Sequence, residues 1–416
     1  MQSGSKNRWF RRAQVRFGAN YFLLFSLFAI VAPYFQVLLA ERGFDKLQIG
    51  FILGVTDVVG LGAPTLWAWV SDRSRHRRSL IVLSTLGSAV IFSQFGWVST
   101  FSLAVAASAF FGFFFRPLIP LTDGLVLRYQ EAHGGDYGRP RTSGSIAFVG
   151  VVLMLEWLGV ADRSRTTGVI LASLAVVALL HAVSAMALPL TDADREERRR
   201  KASGAGLSGA DGAPVERRRF DWAIVRSRPF VLFAVVVFLS RAAMVSHYSF
   251  FTLYVKEEIG FAEAGKLWTL GALFEIPFVF FSGWFIRRIG VRNLFALGVA
   301  SAVVRLGGYA LAPDVGWVVA LQALHALYFG AYYVALLTYV SRLAPPHMKQ
   351  SLIALFFSVS FGPASVVGSM LGGALSQDFG FRVMYAIFSV VACVAFILVL
   401  VFLREPKAVG NADPAK

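Results

Sequence analysis

Apolar runs of about twenty residues, separated by short polar turns, recur from one end of the chain to the other. They fall at 17–40, 49–70, 79–98, 104–127, 142–161, 166–188, 229–253, 267–286, 293–312, 317–341, 351–375 and 382–403. A helix of about 20 residues crosses a hydrocarbon core of roughly 30 Å, so each run predicts a transmembrane helix. No run shows the period-two alternation of a barrel strand, and all exceed a strand's length. The pattern predicts an all-α polytopic membrane protein with twelve transmembrane helices in two six-helix halves. The first half is expected at 1–190 and the second at 229–416, with a cytoplasmic linker at 191–228. That interval holds Arg198-Arg199-Arg200-Lys201, then Gly, Ser and Ala, then Arg217-Arg218-Arg219, a composition that cannot bury a core.

Composition sharpens this picture. At 56% hydrophobic and 15% charged, the 416 residues are too apolar for a surface wetted all round. The net charge of +16 would suit nucleic acid, but its distribution points to a membrane. With a cytoplasmic N-terminus, 30 of the 40 Lys and Arg fall in cytoplasmic segments, six fall outside, Arg382 opens the last run, and Arg116, Arg241 and Arg305 fall within apolar runs. This is the positive-inside bias, and it predicts a bacterial cytoplasmic (inner) membrane protein with both termini in the cytoplasm. The partner of the charge is then the lipid bilayer, not nucleic acid. The lone Cys393 permits no intramolecular disulfide. Metal-ligand spacing, a phosphate loop and a nucleophile elbow are all missing from the sequence, so no cofactor, no metal and no enzyme are expected.

Two loops echo one another. Ala68-Trp69-Val70-Ser71-Asp72-Arg73, followed by Arg75, Arg77 and Arg78, closes the second run; Gly283-Trp284-Phe285-Ile286-Arg287-Arg288-Ile289-Gly290-Val291-Arg292 closes the eighth. A small residue permits close helix approach, and Asp72 with Arg73 could latch one conformation against a neighbouring helix end. The same loop at matching places in two sets of six indicates a parallel repeat. The first loop resembles the signature of the major facilitator superfamily, with Ala68 for the usual Gly and Arg75 where a Gly is customary. The resemblance implies twelve helices and transport by alternating access.

Charges inside the runs carry the functional reading, because one at mid-bilayer costs about 3 kcal/mol or more unless it is paired or faces a wet cavity. They are Asp57, Arg116, Asp123, Arg241, Glu275 and Arg305, with Arg141 opening the fifth run. Arg116 and Asp123 are seven residues apart, which places them on one face of a continuous helix. After the turn Asp136-Tyr137-Gly138-Arg139-Pro140-Arg141, the residues Arg141, Ser145 and Phe148 share a face. An acid, a guanidinium, a hydroxyl and a ring converging on a cavity suit a small polar ligand with a flat apolar side. Asp57 and Arg116 can neutralise each other across the second and fourth runs, or Arg116 can meet an anionic group of the substrate.

This segment is similar to the lactose permease branch, including its oligosaccharide, nucleoside and phenylpropionate relatives. There an acid on helix four pairs with an arginine opening helix five, positions that fall on Asp123 and Arg141. Phe148 falls where the sugar permease stacks a Trp on the sugar. Arg305 and His325 match an arginine and a histidine of its proton-coupling group, and Glu275 sits one turn beyond its ligand-binding acid. Tyr328 stands where that branch carries its proton-carrying glutamate, so the coupling site cannot simply be copied. The residues and the resemblance together point to substrate contacts at Arg116, Asp123, Arg141, Ser145, Phe148 and Glu275, and to proton coupling among Asp57, Asp123, Glu275, Arg305 and His325; Arg116, Ser145 and Asp57 enter on the residues alone.

The expected function is a monomeric, proton-coupled symporter of a small organic solute such as a sugar, a glycoside or an aromatic acid. An exporter of the same fold and a non-transporting receptor or assembly factor are the rival readings.

Overall fold

The computed structural model describes residues 2–74, 76–133, 138–162, 164–190, 222–343, 349–356, 358, 360 and 362–405. The helices are α1 (Gln2–Glu41), α2 (Lys46–Ser74), α3 (Arg77–Gln94), α4 (Phe101–Phe115), α5 (Leu118–His133), α6 (Gly138–Trp157) and α7 (Thr166–Met186). After the four-residue helix Trp222–Val225 come α8 (Arg228–Glu257), α9 (Ala264–Ile289), α10 (Val291–Leu311) and α11 (Val315–Gln322). A π-helical segment (Ala326–Ala331) leads into α12 (Tyr332–Leu343), followed by α13 (Lys349–Phe356), α14 (Gly362–Asp378) and α15 (Phe381–Phe402). Among the described residues there is no strand. Every apolar run of the sequence overlaps a helical stretch. Eight stretches are long and apolar enough to cross a membrane by length and composition; α3, α6, α9 and the α13–α14 pair fall outside that criterion.

Local chemistry explains where the chain turns. The Phe44 and Gly43 amides bond back to the Leu39 and Ala40 carbonyls, and Gly43 takes φ 84°, a left-handed conformation that a Cβ would strain. The Asp45 carboxylate then accepts from the Gln48 amide at 2.8 Å, and the Gln48 side chain accepts from the Asp45 amide at 3.1 Å. This reciprocal cap starts α2 two residues after α1 has turned.

The fourth apolar run is two helices rather than one. Pro117 lacks an N–H, so the ladder breaks at Arg116 and resumes with the Leu121 amide on the Pro117 carbonyl. The expectation of a continuous helix carrying Arg116 and Asp123 on one face is therefore corrected: the two are separated by a kink and meet different partners.

Small residues set the helix contacts, as expected where lipid gives no hydrophobic push between helices. A Cβ on Gly112 would come within 2.6 Å of the Thr56 carbonyl of α2, and one on Gly368 within 2.4 Å of the Ala242 carbonyl of α8. At the other end of the bundle the repeated loops do the same job twice. Arg78 at the start of α3 donates to the Leu188 carbonyl after α7. Arg292 at the start of α10 donates to the Leu403 carbonyl after α15 at 2.6 Å. Glu405 adds a cap to α10, accepting from the Val291 and Arg292 amides at 2.9 and 2.8 Å. The backbones of Asp72 and Arg73 end α2, but their side chains lie outside the described residues, as does the 191–221 part of the linker.

Candidate substrate and proton site

Two ion pairs among the described residues before 191 concern the candidate site. Arg116, the last residue to bond back into α4 before Pro117, pairs with Asp57 of α2. Gly60, one turn along α2, admits the arginine, since a Cβ there would meet its Cγ at 2.7 Å. The pair is not sealed: the Arg116 side chain is 40% exposed and Asp57 16%. Asp123 on α5 holds the second pair. The Arg141 Nη1 reaches its two oxygens at 3.0 and 2.8 Å, and the Tyr21 hydroxyl of α1 donates to Oδ1 at 2.6 Å. The Arg141 guanidinium also lies over the Phe25 ring at 5.8 Å, a cation–π contact. Ser145 is exposed and Phe148 is partly buried against the core.

The charges beyond residue 221 form a different kind of group. Arg305 of α10 is 1% exposed. It donates through Nε to the Tyr309 hydroxyl at 2.8 Å and through Nη2 to Gln322 Oε1 at 2.7 Å, and its Nη1 lies 2.9 Å from His325 Nδ1. A guanidinium has only donors, so His325 Nδ1 must accept and its proton must sit on Nε2. That nitrogen faces Glu275 of α9, with Oε2 at 3.8 Å. Arg305 therefore keeps the imidazole neutral and turns its N–H toward the carboxylate. The structure thus brings Glu275, Arg305 and His325 together, while Asp57 and Asp123 each hold a separate arginine.

Sequence reasoning missed the aromatic lining. His325, Phe329 and Tyr333 stack in a column, with centroid distances of 6.0 and 5.9 Å and interplanar angles of 6° and 3°. A regular α-helix swings side chains about 40° onward at each four-residue step; the wider π turn at 326–331 sets them back into line. The four-residue spacing was readable, but the π turn was not.

A second residue that the sequence pattern gives no role is Glu156, near the end of the fifth apolar run. It is 8% exposed. Its Oε1 accepts from the Tyr34 hydroxyl at 2.9 Å and from the Gly265 amide at 2.7 Å. The carboxylate of α6 thus caps α9 across the interface, where the helix N-terminus favours negative charge. Contacts between the helices before 191 and those after 221 cluster around it. Thr252 donates to the Pro33 carbonyl at 2.6 Å and accepts from Gln36 at 3.1 Å. Lys46 pairs with Glu257 at 3.1 Å, and a Cβ on Gly50 would meet the Ser369 carbonyl at 2.4 Å. The bundle is closed at this end, and the accessible Asp123–Arg141 pair lies toward the other.

Helical hairpins packed through small residues, with paired charges on apolar helices and one closed end, are the anatomy of a carrier. The model of the MFS_1 like family matches residues 15–387. The chain belongs to that family. Family members are transporters, and this chain is a multi-pass membrane transporter and not an enzyme. Among its relatives, a maltose permease of Geobacillus stearothermophilus is 26% identical over 393 residues, covering 94% of this chain and 95% of that one. A probable 3-phenylpropionic acid transporter of Escherichia coli (strain K12) is 29% identical over 397 residues, covering 94% and 97%. The crystal structure of the nucleoside transporter NupG (D323A mutant) superposes with a TM-score of 0.79 at 14% identity, covering 93% of this chain and 99% of that one. At that identity the likeness is one of fold.

The Asp57–Arg116 pair gives the transporter a testable brace. Arg116→Ala is expected to lower the melting temperature in detergent, and adding Asp57→Ala should recover most of the loss. Leaving one polar partner alone costs about 1–3 kcal/mol when fully buried, and less here because Arg116 is 40% exposed. A double variant no more stable than the single would show that the two charges do not support each other.

Proposed function

We propose that this protein is a proton-coupled symporter that brings a small organic solute, such as a sugar, a glycoside or an aromatic acid, across the bacterial inner membrane. The observation that carries this reading is Glu275 facing the Nε2–H of His325, itself fixed by Arg305. With the histidine held neutral, Glu275 is the group of this cluster free to gain and lose a proton. In lipid, an ionised carboxylate with only a neutral partner is costly, and a protonated one is not. Proton binding and movement through the membrane are thereby linked.

In this reading, residues 1–190 and 229–416 rock as two six-helix halves joined by the 191–228 linker, around a site near the bilayer midplane. The positive-inside bias makes the Glu156–Gly265 end periplasmic and both termini cytoplasmic. The structure then corresponds to a state sealed from the periplasm and accessible from the cytoplasm near Asp123 and Arg141. Asp72 and Arg73 would latch the cytoplasmic ends in the opposite state. The chain would act as a monomer, each copy carrying its own pathway.

Purified protein in vesicles, with an inside-alkaline pH gradient imposed, should accumulate labelled substrate, and an ionophore that collapses the gradient should reduce uptake to equilibration. Uptake indifferent to the gradient would refute proton symport. Accumulation driven by the reverse gradient would identify the exporter instead.

A further inference from the structure

The charges and rings around the centre favour one class among the proposed solutes. Arg116, Arg141, Arg241 and Arg305 stand in or at the edge of the apolar runs with the carboxylates Asp57, Asp123 and Glu275, while Glu156 is engaged at the closed end by Tyr34 and Gly265. Protonation of Glu275 shifts the balance of this group further toward positive charge. A neutral sugar would want carboxylate oxygens free to accept its hydroxyls. The Asp123 oxygens are taken by Arg141 and Tyr21, and Asp57 is held by Arg116. An anionic solute suits this balance better.

The apolar part of the solute has a wall waiting for it. Phe329 and Tyr333 lie parallel on one side, and Tyr248 of α8 meets Phe329 edge-on, with centroids 6.4 Å apart and planes at 82°. Phe329 is partly buried and Tyr333 is 37% exposed. The Arg241 guanidinium lies 5.8 Å from the Tyr248 ring, a cation–π contact beside the column. The Tyr248 hydroxyl is buried and has no hydrogen-bond partner, an arrangement that costs free energy until an acceptor meets it.

We infer that Tyr248, Phe329 and Tyr333 are specificity-determining residues for an aromatic carboxylate, whose ring rests on the Phe329–Tyr333 face while its carboxylate is met by Arg241 and the Tyr248 hydroxyl. This deepens the proposed transport function and rests on it. A guanidinium and a carboxylate form two parallel hydrogen bonds, and an offset-stacked ring is attracted beyond what its buried area alone supplies. The π turn is part of the site because it aligns the column on which the ring rests.

Binding to purified protein in detergent separates this assignment from the coupling mechanism, since it needs neither a gradient nor net transport. The probes are 3-phenylpropionate, 3-cyclohexylpropionate, 3-phenylpropionamide and maltose, titrated by calorimetry. The acid with the aromatic ring is expected to bind at least about tenfold more tightly than the saturated acid or the amide, a difference of about 1.4 kcal/mol. Phe329→Leu should erase the preference for the aromatic ring, and Arg241→Gln the preference for acid over amide. Both variants should keep the wild-type melting temperature within a few degrees. If either unfolds, Tyr248→Phe, which removes only the hydroxyl, should still narrow the gap between acid and amide. Equal binding of acid and amide, tighter binding of maltose, or no binding of any acid by folded protein would overturn the inference. Selective acid binding with gradient-independent uptake would instead overturn proton symport and leave this assignment standing.

Discussion

Glu275→Gln is expected to abolish accumulation of substrate against a gradient while leaving exchange of labelled for unlabelled substrate within a few-fold of wild type. Exchange requires only that the loaded, proton-bearing protein rock between its two states, and the amide resembles the protonated acid in shape and charge. Net uptake requires the empty protein to give up the proton and return, which an amide cannot do. The same geometry sets a contrast. Asp123→Asn removes the carboxylate that binds both Arg141 and Tyr21, so it leaves a guanidinium without its counter-charge and should depress exchange and uptake together. Vesicle assays of both modes decide the matter. Full accumulation by Glu275→Gln would remove this residue from the coupling step. Intact exchange with lost accumulation in Asp123→Asn would move the role to the other acid.

Gly50→Val should hold the protein open at the Glu156 end and slow transport severely. Gly50 of α2 faces backbone, not flexible side chains: its Cβ would lie 2.4 Å from the Ser369 carbonyl and 3.0 Å from the Gly373 Cα of α14. Neither can step aside without moving a helix. Separation of α2 from α14 would also loosen the Gln36–Thr252 contact and the cap that Glu156 places on Gly265. The readout is alkylation of a cysteine placed at Gln36, which is 2% exposed, in a background where Cys393→Ala removes the native thiol. A bulky maleimide should react slowly in the parent and many times faster with Gly50→Val present. Gly373→Val on the facing helix should do the same. An unchanged labelling rate in both would mean that this end does not open by parting α2 from α14.

Much of the architecture is written in runs of residues. The length and apolarity of the runs, with the bias of Lys and Arg, predict a helical membrane protein, because lipid leaves the backbone no other way to satisfy itself over such lengths. The paired loops at Asp72–Arg73 and Arg287–Arg292 announce a repeat, and the structure gives Arg78 and Arg292 the same task at corresponding helix ends. Single-residue features such as Asp57, Arg116, Asp123 and Glu275 are also legible, since a charge in an apolar run is expensive and demands an explanation.

Which charge meets which is another matter. The sequence offered Arg116 either to Asp57 or to a ligand, and its spacing to Asp123 suggested a shared face. Pro117 breaks that helix, and tertiary packing gives Asp57 to Arg116, and Arg141 with Tyr21 to Asp123. Glu156 looked unremarkable because its partners, Tyr34 and Gly265, are supplied by α1 and α9 from far along the chain. Glu275 and His325 are fifty residues apart and touch only because α9 packs on the π segment. The sequence by itself thus determined the solvent, the succession of apolar helices and the inventory of costly groups, since these depend on local composition and period. Only the tertiary structure decided the pairs, the His325 tautomer, the aromatic column and the closed end. Each of those is a distance between helices, set by small residues, a proline break and a π turn whose effects accumulate along helices many residues long.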